Sequence, residues 1–270
     1  MKKGILIIII LIIVLIGFFD YRVKIKNFWL DLTKPPLPEA MEYAEQRGTA
    51  DLSASLEAGE GRRMNNKTPI IDSESPTSSI ILLSSFNLNV PFTPQAPYAD
   101  WNETFKEACE EAAALIVHYY YQNKTFTPQI ATSEILKMVD WQEKNWGGHF
   151  DLTATQTASL IKNYWGYQEV EVMDNPTIDD IKSQIFQGRP VIVPAAGREL
   201  GNPYFRTPGP IYHMLVIKGY TDDKFITNDP GTKRGQDYLY KFETVMHALH
   251  DWNEENILQG EKRVIIIYPE

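Results

Sequence analysis

A chain of 270 residues has room for one sizeable domain with appendages, and 43% apolar with 12% aromatic residues is the composition of a packed protein, not a disordered one. Residues 1–85 carry ten Lys/Arg and ten Asp/Glu, so the whole formal charge of -9 belongs to residues 86–270. An acidic domain repels phosphate backbones, which excludes nucleic acid as an expected partner, and a single cysteine excludes an internal disulfide.

In chain order, Met1-Lys2-Lys3 precedes an unbroken apolar run over residues 4–19. As a helix the run reaches about 24 Å against a bilayer core of about 30 Å, and Lys2, Lys3 and Tyr21 extend it to the interfaces. Gly17-Phe18-Phe19-Asp20-Tyr21 lacks the small residues of a leader-cleavage site, so residues 1–19 are expected to be an uncleaved, single-pass membrane anchor. Basic residues flank both ends and the orientation rule nearly cancels; the domain is expected outside the cytoplasm. Residues 20–85 read as a juxtamembrane segment and flexible linker, Pro-rich and then Ser/Glu/Gly-rich, with 40–47 as a short helix.

Residues 86–270 read as one mixed domain. The apolar spacing predicts helices over 109–122, 133–146, 153–164, 177–187 and 242–252, with Pro128, Gly147-Gly148, Gly166 and Gly188 as breaks. Strands are predicted over 168–173, 190–195, 213–220, 224–228 and 263–268. Helices come first and strands follow, the pattern of an α+β domain in which a helical layer packs on a largely antiparallel sheet.

Cys109 lies in Lys106-Glu107-Ala108-Cys109-Glu110-Glu111-Ala112-Ala113. A helix N-terminus lowers a thiol pKa, so where the helix starts matters. Thr104 to Glu107 matches a capping box that would put Cys109 in the second turn, whereas a start near Lys106 or Glu107 brings the sulfur nearer the positive end. The thiol can equally be core, since Cys109, Ala113, Ile116 and Val117 share one helical face. Of the five histidines, His118 stands nine residues on, turned about 180° and about 13 Å along the helix, too far to be a base for Cys109. His149 lies in a Gly-rich loop. His247 and His250, three apart with Asp251 next, have metal-ligand spacing but no completing ligand nearby, and no metal or other cofactor is expected. His213 opens an apolar strand whose partner ends in Asn228-Asp229-Pro230, and hairpin-linked strands can bring those side chains together. Cysteine, histidine and an acid are the groups a thiol hydrolase needs: nucleophile, base and a group that orients the base.

Val90-Pro91-Phe92-Thr93-Pro94-Gln95-Ala96-Pro97-Tyr98-Ala99-Asp100-Trp101, then Glu107 to Ala112, His213 to Ile217 and Asn228 to Gly235 together resemble the C39-like cysteine peptidase domains of bacteria, in the papain-like superfamily. The resemblance implies a papain-like fold, Cys109 as nucleophile, His213 as general base and then acid, Asp229 orienting the imidazole with Asn228 as its rival, and a peptide or protein substrate. It also implies that Gln95 lends its amide to an oxyanion hole together with the backbone N–H of Cys109. No G-x-x-x-x-G-K-[ST] fingerprint is present, so the transporter-fused role of some relatives is not carried over. The segment 198–210 is expected to border the cleft. Alternatives are a papain-like binding module of the cell envelope whose thiol is unused, and a cell-wall amidase or acyl transferase.

Overall fold

The computed structural model describes residues 21–22, 24–26, 28, 32–42 and 83–269. The chain divides into two units, 1–37 and 38–270. Within the first, Tyr21, Arg22, Lys24, Ile25, Lys26, Phe28 and Leu32 are helical. The predicted anchor, residues 4–19, lies outside the described residues, and among the described ones no helix is long and apolar enough to cross a membrane. The short helix expected over 40–47 is not seen where it is described: Met41 is instead extended and forms a parallel bridge with Leu88. Its other residues, 43–47, lie outside the described set.

Among the described residues, the second unit carries six α-helices and one seven-stranded sheet. The elements are β1 (Phe86–Asn87), α1 (Glu103–Lys106), α2 (Cys109–Tyr121), α3 (Pro128–Trp146), α4 (Ala154–Trp165), β2 (Glu169–Asp174), α5 (Ile178–Phe186), β3 (Val191–Ala196), β4 (Tyr212–Tyr220), β5 (Lys224–Asn228), β6 (Tyr238–Lys241), α6 (Phe242–Ala248) and β7 (Arg263–Tyr268). The sheet runs β2-β7-β3-β4-β5-β6, with β1 also on β4, and every pairing is antiparallel. This is the expected mixture of helices and antiparallel sheet.

Local chemistry sets the helix ends. Thr153 caps α4 through Gln156 and Thr177 caps α5 through Asp180, in reciprocal boxes that satisfy two free amides each. Gly147 and Gly166 close α3 and α4 at φ 80° and 79°, a left-handed conformation that costs glycine little. Pro128, expected to break the chain before the second helix, instead begins α3 behind the Thr127 cap, where its missing N–H costs nothing. The last predicted helix stops early at Ala248, because Leu249 turns away to bridge Ala195 of β3.

The core sits where α2 meets the central strands. All residues of β3 and β4 are buried, and so are all of α2 except His118. A helix buried on every side is a central one, so the expectation of a single buried face was too narrow. Full burial of side chains such as Leu115 and Ile116 contributes about 1.5–3 kcal/mol each relative to exposure. His118 is held at the rim, stacked on Trp165 at 4.2 Å and 6° with its Nδ1 3.0 Å from the Tyr167 hydroxyl.

Candidate active site

β4 and β5 form the hairpin that brings histidine and acid together. Lys218 is an extra residue between the Ile217–Thr227 and Gly219–Ile226 pairs, and its ammonium is tied to Asp237 at 2.6 Å. His213 stands at the start of β4 and Asp229 one residue beyond β5, with Nε2 to Oδ1 at 2.8 Å. Both side chains are buried.

Asp229 is saturated with donors. Oδ1 also accepts the Gly231 N–H at 3.0 Å; Oδ2 accepts Asn202 Nδ2 at 3.0 Å and the Tyr240 hydroxyl at 2.6 Å. Burial alone would raise the carboxyl, but the imidazole beside it and the hydroxyl and amide donors hold it below the usual carboxylate range. Asn228, its rival, faces elsewhere: Nδ2 donates to the Val90 and Pro91 carbonyls and Oδ1 accepts from Asp237 N. Adjacent strand residues point to opposite faces, so only one of the two can meet His213.

The segment 198–210 supports this pair from the side. Asn202 comes from it, and the Phe205 ring meets the His213 ring edge-on at 5.4 Å. A Cβ at Gly231 would stand 2.9 Å from His213 Cε1 and 2.8 Å from Phe205 Cε1, so that turn closes on the imidazole only as glycine.

Cys109 is the first residue of α2. The sequence left open a single helix from Thr104; instead Asn102 caps the short α1 and the chain breaks at Glu107-Ala108. Gln95 supplies a cause. Its Nε2 donates to the carbonyls of Phe105 at 3.0 Å and Lys106 at 2.9 Å, the acceptors that a continuous helix would give to the amides of Cys109 and Glu110. Both Gln95 amide hydrogens are therefore engaged, and the side chain as it stands has none to offer an oxyanion. What it does is hold the carbonyls before the thiol, leaving the first N–H groups of α2 without helical partners. Gln95 N also donates to Pro230 O at 2.9 Å, so one residue links the turn after Asp229 to the segment before Cys109.

The sulfur itself is 3% exposed as part of Cys109, and its hydrogen bond goes to Glu110 Oε2 at 3.0 Å, not to His213. Burial, and then the Glu110 carboxylate, push the thiol well above its ordinary pKa, opposing the helix N-terminus. Glu110 Oε1 accepts Leu152 N at 2.8 Å, and the Tyr212 hydroxyl donates to Leu152 O at 2.8 Å.

The remaining histidines have other partners. His149 Nε2 is 3.4 Å from Glu111 Oε1; burial acts to lower its pKa, but Glu111 and Glu107 raise it on balance. His247 pairs with Glu199 at 3.2 Å, while His250 Nδ1 meets the Gly260 carbonyl at 2.8 Å, so the two do not converge. Asn202, Tyr240 and Glu110 were not singled out in the sequence. A pair of carboxylates directly after the lone cysteine, in a helix otherwise rich in apolar residues, is a signal for Glu110; nothing local marks the other two.

With this geometry in view, comparison gives the class. Residues 87–256 match the model of the Peptidase_C39 like family, and the chain belongs to that family. No curated protein matches the chain. Among solved structures it is similar to a protein from Bacillus anthracis proposed to be a C39-like peptidase, at 17% identity and a TM-score of 0.46, over 70% of this chain and 97% of that one.

Proposed function

We propose that this protein is a papain-like cysteine peptidase acting on peptide or protein substrates, with Cys109 as nucleophile, His213 as base and Asp229 as the group that orients it. The observation that carries the reading is the buried His213–Asp229 pair. Asp229, held as a carboxylate, engages Nε2 and so reserves Nδ1 for proton transfer. The thiol passes its proton to Nδ1 and the sulfur attacks the substrate carbonyl. The imidazolium then protonates the leaving amine, and water, activated by the same ring, hydrolyses the acyl-thioester. In this scheme the N–H groups at the start of α2, which have no partners within the helix, receive the negative charge that develops on the substrate oxygen, a contribution of about 3–4 kcal/mol per donor in comparable sites. Gln95 acts in this scheme as the residue that keeps them free.

Trapping tests it. Full-length protein incubated with a peptide library should release new amino termini, and the Cys109→Ala variant should release none. Equal cleavage by both forms would reject the assignment.

A second reading, a binding module that leaves its thiol unused, is favoured by one observation: the sulfur is buried and bonded to Glu110. Peptide binding without hydrolysis, together with a thiol inert to alkylation in the wild type, would select it. We also propose that residues 4–19 anchor the chain, on the strength of the apolar run, and that the domain lies outside the cytoplasm. Protease protection in membrane vesicles of known orientation tests this.

A further inference from the structure

We propose that Glu110 is a positioning residue for the nucleophile: its Oε2 accepts the S–H of Cys109 and holds the thiol in a protonated resting orientation, from which His213 must draw it. This inference rests on the reading of Cys109 as nucleophile. The geometry is a fixed clamp. The carboxyl has one oxygen pinned by Leu152 N at 2.8 Å, which aims the other at the sulfur, 3.0 Å away. Glu110 is fully buried, so no solvent competes for that second oxygen.

The groups that act most strongly on the pair are acids or weak acids. Glu111 and Cys109 flank it on α2, Asp151 approaches from the loop before α4, and Tyr212 approaches from β4 with Asp251 beyond it. Asp151 is itself raised to about 6 by burial and by Glu107. His149 is held on Glu111. None of the leading influences on the pair comes from a Lys or Arg. Burial, Glu111 and Asp151 therefore push the Glu110 carboxyl up as well as the thiol.

A carboxyl is ordinarily the stronger acid by about four pKa units, so the first proton lost by the pair leaves the carboxyl. The sulfur keeps its own proton and donates it to Oε2. Activation moves that same proton to His213 and leaves a thiolate beside the Glu110 carboxylate, an arrangement that repulsion disfavours until the imidazolium offsets it. Glu110 thus acts as a brake on the free thiol.

Glu110→Gln separates this role from simple packing. The amide keeps the Leu152 bond only by turning its Oε1 to that N–H, which sets an Nε2 donor against the sulfur and favours the thiolate. The test is the rate of iodoacetamide alkylation against pH, with Cys109 as the single cysteine reporting alone. The apparent thiol pKa of Glu110→Gln should fall by at least about one unit. Tenfold more thiolate, offset by about threefold lower intrinsic nucleophilicity, gives roughly three- to fourfold faster alkylation at pH 7. A profile that superimposes on the wild type overturns the proposal. Should the variant not fold, the wild-type S–H infrared stretch decides: a band shifted down by hydrogen bonding supports the clamp, and a free-thiol frequency refutes it. His213→Ala leaves the clamp intact, so an effect of Glu110→Gln without any effect of His213→Ala would fail the peptidase reading alone.

Discussion

Asp229→Asn is the most searching small change in the domain, because all four neighbours of this carboxylate are donors. If the new NH2 takes the place of Oδ1, it faces the Gly231 backbone N–H, which cannot turn away, and His213 Nε2, which can become an acceptor only by moving its proton to Nδ1. If it takes the place of Oδ2, it faces Asn202 Nδ2 and a Tyr240 hydroxyl that already accepts from Asn202 at 2.7 Å. Either way at least one buried donor is orphaned, at about 1–3 kcal/mol, and the remaining bonds lose their charge-assisted strength. A total loss of about 2–4 kcal/mol follows, which for a domain of this size lowers Tm by roughly 4–16 °C. Thermal unfolding of the full-length variant measures it, and nitrogen NMR of the His213 ring reports the tautomer. A variant that melts within about 2 °C of the wild type with an unaltered ring would refute the account of the site as a saturated anion.

Other perturbations follow from the same structure. Burial, and then Lys124, lowers His118 from its ordinary 6.5 to about 4. A depressed histidine contributes stability that is present above about pH 6.5 and lost as the pH falls toward 4, here about 1–2 kcal/mol after discounting for the partly exposed ring. His118→Phe, which preserves the stack on Trp165, should remove that loss; an unchanged difference between the two acid unfolding curves would contradict it. Gln95→Ala surrenders two hydrogen bonds, one buried and one partly buried, and should destabilise by about 2–3 kcal/mol. It should also let the helix run through Ala108, so amide exchange at Cys109 and Glu110 should slow; unchanged exchange would show that Gln95 does not cause the break.

Much of this architecture was legible because it is local. Caps at Thr153 and Thr177, the left-handed glycines after α3 and α4, and the apolar runs of β3, β4, β5 and β7 carry their own signals. The antiparallel sheet followed from the order of elements, and the pairing of His213 with an acid of the next strand followed from hairpin geometry. What sequence could not supply was tertiary. The break before Cys109 depends on an amide fourteen positions upstream seizing two carbonyls, a contact that no propensity encodes. The choice of Asp229 over Asn228 turned on which residue faces inward just beyond β5, a strand whose hairpin partner β4 carries a bulge. Asn202 and Tyr240 reach Asp229 from a loop and an edge strand, 27 and 11 residues away. The early end of α6 was hidden because the apolar spacing continues through Leu249, which is buried against the sheet and not in a helix.

The central claim is that Cys109 and His213 act as one acid–base pair, and the thiol reports on it directly. Alkylation of Cys109 by iodoacetamide should be measured from pH 4 to 10 in the wild type and in His213→Ala. The account predicts a reactive limb in the wild type well below the range of a lone buried thiol, lost on removal of the imidazole with at least a tenfold fall in rate at pH 7. Coincident profiles for the two proteins would contradict it.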